Sequence, residues 1–335
     1  MAPFYDAVKV FHERKSEDGG YDVYAGDIDG EWCIGSVPQG GYVFGLIIEA
    51  CLQHQAQTRH RDPIHATAHF LRATSVAPFK VHIRKLREGK GLTNLVADLV
   101  QDDVTRVTTH QVFGVLSTTP NSPDSVLHIV PPSPYARRVP LYHHPSTAPV
   151  TPLPRVLQFR SRLKVTKEPE LAAKNVPVDT NDSTSIGSGK FAWGQWLTFT
   201  DERQTLTPPA LAFLTDSTNS PALLLPRSER TGLHASNWFP TVALMIEFKF
   251  PLSAFSSQRT VGLYMNSHFF NDPQGRHDFD VEVWSAPCDI GEGKFEEGWK
   301  EKQVCLAVSR QTALIVPMEV NASKANGKKN ETAKL

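Results

Sequence analysis

A chain of 335 residues with 35 basic and 35 acidic side chains carries no net charge, so it lacks the long-range field that gathers nucleic acid or an anionic membrane. Its 40% hydrophobic and 21% charged content is that of a soluble globular protein, long enough for two domains of ordinary size. Cys33, Cys51, Cys288 and Cys305 stand far apart with no C-x-x-C pair, which excludes a disulfide framework or zinc site and predicts buried thiols in a reducing compartment.

The N-terminal MAPFYDAVKVFHERKSEDGG has no apolar core of a signal peptide, and no run approaches a membrane span. The chain is expected to be intracellular, so the sequons at Asn181, Asn321 and Asn330 are expected to carry no glycan. Residues 22–34 read as one or two short strands. In SVPQGGYVFGLIIEACLQHQ, Pro38 and the Gly40-Gly41 pair precede a helix apolar on almost every side, which must be wrapped by protein. HATAHFLR, FKVHIRKLR, TNLVADLVQ and VTTHQVFGVLS follow as four strands between Ile64 and Ser117. One engulfed helix followed by an antiparallel meander predicts a curled sheet around a helix.

Residues 118–154 hold ten prolines and read as a linker lying extended against the surface. The second half repeats the order of the first. VLQFRSRLKV and KFAWGQWLTF read as strands, PPALAFLTDSTNS as a short helix opened by prolines, and TVALMIEFKF, RTVGLYMNSHFF, HDFDVEVWS and VCLAVSRQTALIV as four more strands. THQVFGV (109–115) stands 200 residues before SRQTALI (309–315), a spacing that signals a duplicated domain. The resulting division is 1–118, a linker over 119–154, 155–320, and a tail over 321–335.

Seven side chains in these strands raise chemical questions. Gln311 and Arg310 interrupt an apolar strand, and alternation places them on opposite faces, with Gln311 sharing its face with Ala307, Ala313 and Ile315. His65 and His69 share one strand face but lack a third metal ligand at useful spacing, so no metal site is expected. Asp278, Asp280 and Glu282 alternate with Phe279, Val281 and Val283 as the wet face of a strand.

The stretches WCIGSVPQGGYVFGLIIEA, HFLRATSVAPFKVHIRKLREGKG, LAFLTDSTNSP, TVALMIEFKFP, QGRHDFDVEVW and LAVSRQTALIV together resemble the double-hotdog acyl-CoA thioesterases of the thioesterase II type, over roughly residues 22–117 and 155–316. The resemblance implies an α+β fold of two tandem hotdogs, each an antiparallel sheet around a central helix, joined edge to edge. It also implies a catalytic set of Asp216, Thr241 and Gln311 and an acyl-CoA substrate, with CoA present only as part of that substrate and no other cofactor. Ala243 stands where the family often has an acid, and APCDIGEGKFEEGWKEKQ (286–303) is an insert between the last two strands.

Thioester hydrolysis needs a water held against the carbonyl carbon, a group to take its proton, and donors for the oxyanion. Asp216 is expected to deprotonate or orient the water, with Thr241 and Gln311 fixing its line of attack. Backbone N–H groups at a helix start, left uncovered by Gly40 and Gly41, are the expected oxyanion and substrate contacts. The final Ala333-Lys334-Leu335 resembles the Ser-Lys-Leu peroxisomal address, which implies recognition by the import receptor and residence in the peroxisome, with the cytoplasm as the alternative. Two rival readings remain open: a hotdog redirected to dehydration, isomerisation or cyclisation in a specialised pathway, and a non-catalytic acyl-CoA binder. Assembly into a homo-oligomer is also left open.

Overall fold

The computed structural model describes residues 2–16, 20–116, 129–175, 191–230, 233, 237–255 and 258–325. The sequons at Asn181 and Asn330 and the terminal Ala333-Lys334-Leu335 lie outside the described residues. The main elements are β1 (Phe11–Lys15), β2 (Asp22–Asp27), α1 (Gly40–Gln55), β3 (Asp62–Phe70), β4 (Pro78–Glu88), β5 (Thr93–Gln101) and β6 (Val104–Gly114), then β7 (Val150–Thr151), β8 (Leu163–Thr166), β9 (Phe191–Phe199), α2 (Pro208–Thr215), β10 (Thr241–Phe248), β11 (Thr260–Ser267), β12 (Arg276–Ser285) and β13 (Cys305–Ala313).

The strands form one antiparallel sheet in the order β1-β2-β4-β5-β6-β3-β10-β13-β12-β11-β9-β8-β7. Its centre is the β3–β10 pair, where Ala68 faces Leu244 and Ala66 faces Ile246. Reading outward from that pair, the first half runs β3-β6-β5-β4-β2 and the second β10-β13-β12-β11-β9, the same order mirrored about the junction. The match extends to register. Ala66 faces Gln111 as Leu244 faces Gln311, and a bulge lies between Pro63 and His65 as between Thr241 and Ala243. Gln111 is thus the first-half counterpart of Gln311, and Pro63 that of Thr241.

Each half curls around its helix because both helices are apolar on nearly every side. Tyr42, Val43, Phe44, Leu46, Ile47, Ile48, Ala50 and Cys51 of α1 are all buried, as is all of α2 beyond Pro208. Gln39 caps α1, its side chain accepting from the Tyr42 N–H, and Thr207 caps α2 ahead of Pro208 and Pro209. The start of α1 packs on the end of α2. A Cβ on Gly41 would lie 2.3 Å from the Ala212 carbonyl, so the two backbones approach this closely only with glycine there.

Two stretches differ from their sequence reading. VLQFRSRLKV is a strand only over Leu163–Thr166, because Gln158–Arg162 coils into a single 3-10 turn. That turn inserts Phe159 against Trp32, with ring centroids 5.8 Å apart and nearly parallel, and aromatic burial outweighs strand propensity there. The proline-rich segment is expected to be a surface linker without a ladder; its described part, residues 129–154, instead adds the short strand β7 to the sheet and builds a second core. Val139, Leu141 and Ala148 pack on the outer face of the second half with Leu171, Trp196 and Trp284, and with Ala286, Ile290 and Trp299 of the insert. The insert folds back onto this face because Ala286, Ile290 and Trp299 are apolar and buried there.

Leu141 is fully buried in this outer cluster. Leu141→Ala should therefore lower unfolding stability by about 2–5 kcal/mol, as read by denaturant titration. A loss within experimental error would show that the outer cluster adds nothing to the fold.

Candidate active site

The last carbonyls of any helix lack partners within the helix. At the end of α2 they meet buried glutamines from three other elements. Gln39 Nε2, at the cap of α1, donates to Phe213 O (3.2 Å) and to the Ser217 hydroxyl (3.4 Å). Gln311 Nε2 of β13 donates to Thr215 O (2.8 Å), and Gln195 Nε2 of β9 to Ser217 O (3.1 Å). The exposures of Gln39, Gln195 and Gln311 are 1%, 5% and 1%, so each amide would be costly if left unpaired. Their common target is the short stretch on either side of Asp216.

Asp216 is the residue that ends α2. The negative end of the α2 dipole disfavours its anion, whereas the first turn of α1 favours it. The Gly41 N–H donates to Asp216 Oδ2 (2.8 Å), and the Thr241 hydroxyl donates to Oδ1 (3.1 Å). Thr241 Oγ1 also lies 3.5 Å from Gln311 Oε1. The structure therefore brings Asp216, Thr241, Gln311 and Gly41 to one point, with Gly40 alongside, where the ideal Cβ position is 3.1 Å from Asp216 Oδ2.

Gly40 and Gly41 have different surroundings. In the first turn of α1 the Gly41 N–H is taken by Asp216, that of Tyr42 by Gln39 Oε1 (2.7 Å), and that of Val43 by Gln39 O (3.1 Å). The Gly40 N–H has no partner among the described residues. It is the donor of this turn available to an incoming oxygen.

Asp216 as a residue is half-buried within otherwise dense packing. Burial raises its pKa from the ordinary 3.8 to about 6, while the bonds from Gly41 and Thr241 oppose the rise. A carboxyl with that value is a competent base near neutral pH and an acid just below it.

Gln39 and Gln195 were missed in the sequence. Gln195 sits in FAWGQWLTF as Gln311 sits in VCLAVSRQTALIV, an amide inside an apolar strand, and the same reasoning finds it. Arg310, on the opposite face from Gln311, pairs with Asp278 (3.1 Å) and Asp280 (3.3 Å) at the surface. His65 and His69 lie on the outer face of β3, with His65 opposite Glu247.

Fold and site together define the double-hotdog class, with a candidate site built at the junction of the two halves. The acyl-CoA thioesterase N-terminal domain matches residues 28–114 and the acyl-CoA thioesterase C-terminal domain matches residues 141–287, so the chain belongs to the acyl-CoA thioesterase family. Among solved structures it is similar to a hot dog fold protein of unknown function from Alicyclobacillus acidocaldarius, with 18% identity, TM-score 0.64, and 93% and 97% of the two chains covered. It is also similar to an acyl-CoA thioesterase II from Mycobacterium marinum, with 15% identity, TM-score 0.61, and 94% and 98% covered. These likenesses are of fold. A curated relative, a ustilagic acid biosynthesis cluster protein from Mycosarcoma maydis, is 33% identical over 76 residues; the match spans 22% of this chain and 20% of that protein's length.

The raised Asp216 pKa has a consequence for stability. A carboxyl with a higher pKa folded than unfolded favours folding while protonated and loses that contribution as pH rises through about 6. Ionised Asp216 thus works against the fold at neutral pH. Asp216→Asn should raise the melting temperature at pH 7.5, with the gain shrinking toward pH 4. An equal or lower melting temperature at pH 7.5 would contradict the burial of the charge.

Proposed function

We propose that the protein hydrolyses an acyl-CoA thioester to the free acid and CoA, with Asp216 as the base. The observation that carries this reading is the Asp216 carboxylate held between an N–H of the first half and a hydroxyl of the second. Membership in the acyl-CoA thioesterase family supports the substrate class.

A water beside Asp216 is placed by the carboxylate and by the Gln311 amide, whose second N–H remains after donation to Thr215 O. As the water oxygen attacks the thioester carbon, Asp216 takes its proton and the carbonyl oxygen becomes an anion. The Gly40 N–H, at the positive end of α1, is the donor for that oxyanion. The carbon–sulfur bond then breaks, and the CoA thiolate leaves, with the proton from Asp216 completing the thiol. Thr241 steadies the carboxylate by the bond to Oδ1. The three glutamines fix the backbone that carries Asp216, so the carboxylate is placed before substrate arrives.

The likeness to a biosynthesis cluster protein supports a role in specialised acyl metabolism, and a substrate panel should therefore include substituted as well as straight-chain acyl-CoAs. Free-thiol release over that panel should identify a turned-over ester. Asp216→Asn should lower kcat by roughly 10²–10⁴, and Thr241→Val by about tenfold, with KM less affected. Full activity in the Asp216→Asn variant would remove Asp216 from the mechanism. Tight binding of CoA esters with no thiol release would leave a binding protein in place of an enzyme.

A further inference from the structure

The chain beyond Gln311 returns to the start of α1. Ala313 faces Thr241 in the sheet, the Leu314 N–H donates to Pro240 O (3.0 Å), and Val316–Pro317 pairs with Asn237–Trp238. A last helix, α3 (Met318–Ala325), then lays Asn321 on the hairpin formed by Cys33–Ile34 and Val37–Pro38. That hairpin leads directly into Gln39, Gly40 and Gly41.

Asn321 is 1% exposed, and both polar atoms of its side chain bond to the hairpin tip. Its Oδ1 accepts from the Ser36 N–H (3.1 Å). The Ser36 hydroxyl is shared between Asn321 Oδ1 and Asn321 O, at 3.0 Å each. Asn321 Nδ2 donates to Ile34 O (3.0 Å). Between these two residues Gly35 has φ +61°, and a Cβ there would lie 2.7 Å from Asn321 Oδ1. Backbone conformation and close approach both demand glycine at this point. The base of the same hairpin is closed by the Gln39 N–H donating to Trp32 O (2.9 Å).

We infer that Asn321 is a positioning residue for the candidate reaction: it holds the Gly35–Ser36 turn so that the N–H groups of Gly40 and Gly41 are aimed at the oxyanion position and at Asp216. The role rests on the proposed mechanism for Asp216 and Gly40. A side chain that only stabilised the fold need not join these two segments. Asn321 instead ties the segment that follows Gln311 to the segment that precedes Gly40, closing a ring through Thr241, Gln311 and Gly41. Its amide nitrogen, the atom a glycan would modify in the Asn321 sequon, is engaged inside the fold.

The test uses Asn321→Ala in the full chain, read by amide hydrogen exchange and by pH-dependent kinetics. Faster exchange is expected over Ser36–Gly41, with kcat down about tenfold and KM within roughly twofold of the parent. The acid limb of the pH–rate profile should move upward, because a weakened Gly41 N–H bond no longer favours the Asp216 anion. A lowered melting temperature with unchanged kcat and an unmoved acid limb would overturn the role. Ser36→Ala removes the hydroxyl bonds and keeps Asn321, so it should shift the same readouts in the same direction by less. It carries the test if Asn321→Ala fails to accumulate folded. Should the parent show no thioester turnover, the exchange readout decides alone: unchanged exchange at Gly41 overturns the positioning role, independently of the mechanism proposed for Asp216.

Discussion

The site depends on one buried carboxylate placed at the end of one helix and the beginning of another. Asp216 ends α2, where the local dipole opposes its charge, and it touches the first turn of α1, where an N–H stabilises that charge. Neither helix alone would hold an anion there. The packing that makes the contact is the Gly41–Ala212 approach, so the duplication of the hotdog and the chemistry of the site share one interface.

The second requirement is a fixed backbone around the carboxylate. A helix end buried in apolar surroundings must satisfy its last carbonyls, and here Gln39, Gln195 and Gln311 do so. Because they come from α1, β9 and β13, both halves of the molecule must be folded before the end of α2 is satisfied. The first half keeps Gln111 at the place of Gln311, fully buried, but has Pro63 where the second half has Thr241. The hydroxyl that steadies the carboxylate therefore has no first-half counterpart, and the constellation is one-sided despite the symmetric sheet.

Much of the architecture was legible in the sequence, because period-2 strands and all-round apolar helices leave few alternatives. The 200-residue spacing of THQVFGV and SRQTALI corresponds to equivalent strands in the two halves. Gln311 stood out as an amide in an apolar strand, and Asp216 and Thr241 followed from the resemblance of their surroundings. What stayed hidden has physical reasons. Gln39 precedes a helix where a smaller capping residue is usual, and the Phe213 carbonyl and Ser217 hydroxyl to which it donates lie 174 and 178 residues away. The aromatic contact that coils Gln158–Arg162 depends on Trp32, from the other half of the chain. Asn321 carried no signal beyond its sequon, since its partners Ile34 and Ser36 are backbone and hydroxyl groups nearly 300 residues earlier.

The whole arrangement turns on the pKa of one group, which can be observed directly. The side-chain carboxyl carbon of Asp216, assigned by comparison with Asp216→Asn, can be titrated by NMR alongside the pH dependence of kcat/KM. A midpoint near 6 in both, shared by the carboxyl resonance and the acid limb, is the expected result. A carboxyl that titrates near its ordinary 3.8, or an acid limb that does not follow it, would contradict a buried base at the junction of the two hotdogs.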